Sequence, residues 1–73
     1  MDKPNWQPIR ALLCDYYVDK FMWMGRQGDI ELYKHYDTRH YLNIDARGHC
    51  YEFTTDQTYK QILTSAALKQ AFS

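Results

Sequence analysis

Three histidines and two cysteines are the side chains in this sequence best suited to bind a metal or attack an electrophile: His35, His40, His49, Cys14 and Cys50. Zinc needs three or four such ligands converging on one point. In the hairpin register argued below, His35 and His40 point to opposite faces, and His49 sits beside a turn at the far end of the sheet. The two cysteines are too few and too far apart for a disulfide framework or a Cys-x-x-Cys site. No metal ligand is expected. Cysteine catalysis needs a thiol beside a base. Cys14 lies next to an apolar helical stripe and reads as a small packing residue. His49 and Cys50 are neighbours on a strand, so their side chains diverge. Asp45 with Glu52 or His35 could do acid-base work, but nothing in the pattern selects them. Gly25-Arg-Gln-Gly28 is too short for a phosphate loop and leads into a strand rather than a helix. The expectation is therefore no catalytic residue, no cofactor and no enzymatic activity.

Composition narrows the field from another side. The 73 residues suffice for one domain, 1–73, and seven Tyr, three Phe and two Trp favour a folded core over disorder. Nine basic and nine acidic residues give zero net charge, with the signs interspersed. A phosphate-tracking surface gets no support from that balance. The opening Met-Asp-Lys-Pro-Asn-Trp lacks a basic region followed by an apolar run, and no stretch approaches the roughly 20 apolar residues of a membrane span. A cytoplasmic protein with reduced thiols and no membrane contact is expected.

The elements that must position these groups can be read in order. Ile9, Leu12, Leu13, Tyr16 and Tyr17 follow helical spacing and predict a helix over about Trp6 to Val18. Phe21-Met22-Trp23-Met24 suits a short strand better than a helical extension, because Lys20 would fall inside a continued stripe. Gly25 to Asp29 then forms a loop. From Asp29 to Thr54, three runs rich in β-branched and aromatic residues are joined by two polar turns, the pattern of an antiparallel meander. Setting Leu32 opposite Ile44 leaves Asp37-Thr38-Arg39 as the first loop, with Lys34 as a misfit opposite Leu42. At the second turn, a three-residue loop with Gly48 as a bulge would set Leu42 against Glu52. The hydrophobic pattern favours Ile44 opposite Tyr51 and Leu42 opposite Phe53. The expected core face is Met22, Met24, Ile30, Leu32, Leu42, Ile44, Tyr51 and Phe53. Asp56 can cap a last helix carrying Tyr59, Ile62, Leu63 and Ala66, broken near Ser65 because Leu68 and Phe72 leave that side. The fold class is α+β: an N-terminal helix, a three- or four-stranded antiparallel meander and a C-terminal helix with a break.

The C-terminal half resembles the KTSC domain, a small family named for its association with lysyl-tRNA synthetase. The shared residues are Tyr36-Asp37, Leu42-x-Ile44, Gly48-x-x-Tyr51-x-Phe53, Tyr59 with Leu63, and Phe72. About half the chain is covered, with gaps in two places. Gln57-Thr58 stands where the family has Val-Pro, and the first 28 residues have no counterpart. The resemblance implies strand-strand-helix at this end and a connection to nucleic acid. No functional residue is carried over.

The expected second face carries Phe21, Trp23, Tyr33, His35 and Tyr41 with Glu31, Asn43 and Glu52. Tyr and Trp are enriched in interface cores, and an aromatic face without a cover invites a partner. Trp23, Tyr33, His35 and Tyr41 are the expected partner-binding residues. The expected function is a small protein-interaction domain, self-associating as a dimer or docking as an accessory or inhibitor protein on a larger partner. The alternative is a single-stranded nucleic-acid module that stacks bases on sheet aromatics.

Overall fold

The computed structural model describes residues 3–73. Among them, α1 (Gln7–Leu12) and α2 (Asp15–Val18) precede β1 (Phe21–Gln27), β2 (Ile30–His35), β3 (Tyr41–Asp45), β4 (Cys50–Phe53) and β5 (Tyr59–Ile62); α3 (Thr64–Phe72) follows. The strands form one antiparallel sheet in the order β1-β2-β3-β4-β5. The class is α+β, as expected, with more strands than the three or four anticipated.

The helical ends differ from expectation in ways the local chemistry explains. The run Trp6 to Val18 is not one helix. Leu13 and Cys14 are extended, and α2 starts afresh at Asp15, a residue suited to a first helical turn. The chain bends there to deliver Val18 and Phe21 to the core, and Tyr16 and Tyr17 stay exposed. Cys14 is exposed as well, not packed. Tyr59 to Ile62 is a strand rather than the start of a helix. Asp56 accepts from the Thr54 and Thr58 hydroxyls, Gln57 takes a left-handed φ of 65°, and the two threonines close a turn that sends the chain back along β4. A helix begins only at Thr64, beside the expected break. Ala67 and Ala71 face inward from it, and their small size lets the helix lie close to the sheet.

The sheet register reverses the expected parity. Leu32 opposes Asn43 rather than Ile44, and Tyr33 opposes Leu42. The cause is the first turn. His35 pairs with His40 across a four-residue loop, Tyr36 to Arg39, in which Arg39 adopts φ 66°. His35 Nδ1 accepts from the Asp37 and Thr38 backbone N–H groups, so a side chain inside the core organises the loop. Lys34, the misfit, now points to the other face with its ammonium 5.7 Å from the Tyr41 ring centroid. The second turn corrects the other register. Ile44 opposes Cys50 across Ala46-Arg47-Gly48, with Gly48 at φ 89°. That is the glycine-bulge loop, and it turns Tyr51 and Phe53 away from the helices. Met24 bulges between Trp23 and Gly25 in β1 and is exposed.

The core is therefore built from Ile9, Val18, Phe21, Tyr33, Leu42, Ile44, Cys50, Ala67 and Ala71, flanked by Trp6, Leu12, Leu13, Trp23, Ile62 and Leu68. All three helices lie on this one side. Of the expected core face, only Leu42 and Ile44 point into it. A bulky residue at φ 66° carries strain that glycine lacks, on the order of 1–2 kcal/mol. Part of that is offset by the greater freedom of glycine in the unfolded chain. Arg39→Gly should thus raise stability by up to about 1 kcal/mol, seen as a higher melting temperature; a fall would show that the Arg39 side chain holds the turn.

Candidate functional site

Three of the four expected partner-binding residues lie among the helices. Tyr33 is 0% exposed, its ring tilted against Trp6 with centroids 5.5 Å apart, and its hydroxyl donates to the Asn5 carbonyl. Burial, then the nearby Glu31 carboxylate, push its phenol well above the usual range. His35 is buried and makes T-shaped contacts with Phe21 and Phe72, ring centroids 5.0 and 5.1 Å apart. Trp23 is half-buried, and its Nε1 donates to Glu31 at 2.8 Å. Glu31 also pairs with Arg26, so the carboxylate drawn into the core by the parity change is fully engaged. The register shift that moved these side chains inward removes the reason for placing a partner against them. Tyr41 alone stays on the uncovered side.

That side carries a different aromatic set. Tyr41 and Phe53 are 42% and 58% exposed, and the Phe53 ring meets Tyr59 at 5.0 Å between centroids. Met22, Leu32 and Tyr59 are half-buried around them. Sequence reasoning assigned Phe53 to the core and Tyr59 to a helix. The signal that could have found this face was Lys34, which fitted nowhere on the expected core side.

A cavity of about 880 Å³ opens where β3 and β4 part. The two strands pair only at Asn43–Tyr51 and Ile44–Cys50. Beyond that point Tyr41 and Phe53 splay, and residues from both faces of the sheet line one space, including Leu32, Tyr41, Phe53 and Tyr59 on the uncovered side and Lys69 and Gln70 of α3 on the other. Asn43 stands at the fork. Its Nδ2 donates to the Tyr51 carbonyl at 3.2 Å, while its buried Oδ1 has no partner among the described residues. Leaving such an acceptor unsatisfied costs about 1–3 kcal/mol.

At the other end of β3, Asp45 organises the second turn. Its carboxylate accepts from the Arg47 and His49 backbone N–H groups, each at 2.9 Å, and from the Tyr51 hydroxyl at 2.8 Å. Burial opposes its charge, but the Tyr51 hydroxyl, the two N–H groups and the nearby His49 ring outweigh it and hold the carboxyl below its ordinary range. The same hydrogen bond pushes the Tyr51 phenol up.

The cysteines and histidines do not gather. Cys50 is buried with its Sγ 3.9 Å from the Thr64 hydroxyl, and burial pushes its thiol up. His40 Nδ1 donates to the Gln70 carbonyl, and His49 lies 3.6 Å from Asp45 at the opposite end of β3. Among the described residues no three His, Cys, Asp or Glu side chains are grouped to hold a metal. No helix among them is long and apolar enough to cross a membrane. No family model, curated protein or solved structure matches this chain.

Proposed function

We propose that this is a non-enzymatic protein-interaction domain that self-associates through the uncovered face of its sheet. One observation carries the reading: the helices all lie on one side, and the other side presents Tyr41 and Phe53 with half-buried Met22, Leu32 and Tyr59 around them. An antiparallel sheet tolerates a wet face, but wet faces are usually polar, and this one is ringed with carbon. A second copy would bury it at little electrostatic cost, since the chain is neutral overall. A small accessory or inhibitor protein docking on a larger target would use the same surface. The reading goes with a cytoplasmic location and reduced thiols.

The test is molecular mass against concentration by sedimentation. The mass should rise toward that of a dimer, and Phe53→Asp should return it to the monomer without unfolding the chain, because Phe53 is 58% exposed. A monomeric parent at every concentration would overturn self-association. A second reading, single-stranded nucleic acid, is favoured by one specific placement. Glu31 and Glu52, which would repel phosphate, lie on the helical side, while Lys34 accompanies Tyr41 on the open one. Salt-sensitive retention of labelled oligonucleotides, abolished in Tyr41→Ala, would support that reading instead.

A further inference from the structure

The fork between β3 and β4 has the makings of a small-molecule site. Antiparallel neighbours ordinarily pair along their shared length. Here pairing stops after Asn43–Tyr51, and the space left, about 880 Å³, lies in the range of pockets that hold small organic ligands. Its walls toward the uncovered face are flat rings, Tyr41, Phe53 and Tyr59, with Leu32 beside them. Such rings receive another ring face-on or edge-on. At the fork stands Asn43, 3% exposed, with an acceptor oxygen that nothing in the described chain satisfies. The torsion that aims an Asn amide is soft, so the group can turn toward an arriving donor. Two cations, Arg39 and Lys69, line the mouth with one carboxylate side chain, Glu52, which the Gln70 amide already engages at 3.3 Å. Neither Arg39 nor Lys69 forms an ion pair among the described residues.

We infer that this cleft binds a small planar aromatic anion: a ring between Tyr41 and Phe53 whose N–H reaches Asn43, with a carboxylate or phosphate held by Arg39 and Lys69. Nucleoside monophosphates and indole carboxylates share that chemistry. The site shares the rings of Tyr41, Phe53 and Tyr59 with the surface proposed for self-association, but it rests on the cleft alone.

Amide NMR of the isotope-labelled full chain tests it, with four probes: adenosine monophosphate, indole acetate, indole without an anion, and inorganic phosphate without a ring. At least one ring anion should give saturable shifts at the Asn43 side-chain amide and at Tyr41, Phe53 and Tyr59, half-saturating below about 1 mM. Whichever of the two binds identifies the source of the ring. Indole alone and phosphate alone should each bind about tenfold more weakly. Asn43→Leu should weaken binding about tenfold. Arg39→Gly, which leaves the core untouched, should weaken it about threefold and reduce its salt sensitivity. The inference fails if neither ring anion shifts these residues at about 10 mM, or if indole or phosphate alone binds equally well. Full affinity in both variants, with the Trp23 indole signal in its native place, would also overturn it. Sedimentation of the same samples keeps the two readings apart, since a monomer that binds the ring anion would sink only self-association.

Discussion

Tyr33→Ala should destabilise the protein by about 3–5 kcal/mol, the range for removing a buried large aromatic side chain. Tyr41→Ala should cost under about 1 kcal/mol, as exposed positions usually do. The two tyrosines are neighbours in the sheet by one step of register, so the contrast between them measures which face is inside. Tyr33 is wholly buried, packed against Trp6, and ties the Asn5 carbonyl to β2 through its hydroxyl. Removing its ring opens a cavity under α1 and frees the segment before that helix. Tyr33→Phe separates the parts: it keeps the ring and loses one hydrogen bond, worth about 1 kcal/mol. Urea unfolding of the three variants supplies the values. Equal costs for Tyr33 and Tyr41, or a larger one at Tyr41, would contradict the register of β2 against β3.

Asp45→Ala should cost about 3 kcal/mol, because three hydrogen-bond donors lose a charged acceptor at once. Asp45→Asn keeps one acceptor oxygen in place and should cost roughly half as much. The carboxyl also imposes a pH dependence whose sign follows from its depressed pKa in the fold. Its stabilisation is complete above the ordinary unfolded carboxyl pKa, near about 4. It is lost as pH falls from there through the lower folded value. Asp56 is also held below its ordinary range, by the Thr54 and Thr58 hydroxyls, and adds its own loss on the acid side. The quantity to read is therefore the difference between parent and Asp45→Asn as the acid limb is crossed. A parent curve that parallels the variant below pH 4 would show that Asp45 gains nothing from its partners.

Much of the fold could be read from residue types, and the failures have specific causes. The meander from Asp29 to Thr54 was legible because polar turns punctuate aromatic and β-branched runs. Phe21 to Met24 was legible as a strand because Lys20 spoils a helical stripe. Parity was not legible, since hydrophobic matching rewarded Leu32 opposite Ile44 while the true register places Glu31 and His35 inside. Those two polar residues are tolerated there because Trp23, Arg26 and two loop N–H groups satisfy them. A reading that charges every buried polar group its full penalty rejects that arrangement. The deciding loop needs a left-handed residue at Arg39, a type that gives no warning of it. At the second turn Gly48 signals the bulge loop, against a hydrophobic pattern that favours the other register. β5 was missed because Tyr59, Ile62, Leu63 and Ala66 fit a helix as well as a strand with its successor. Of the candidate site, Tyr41 was legible as an uncovered ring. Phe53, Tyr59 and Asn43 were not, because a cleft formed by strands parting is a property of register alone.

The fork has one more bearing, on motion. Six residue pairs tie β1 to β2 and five tie β2 to β3, but two tie β3 to β4. The sheet has a line of sparse strand pairing through its middle, between a block of three strands and the β4-β5 hairpin, and α3 packs across it, against β2 and β3 as well as β4. Partial openings of a protein follow such lines, since they sacrifice the fewest interactions. Whatever wedges into that gap or bridges its lips governs how often the two blocks separate.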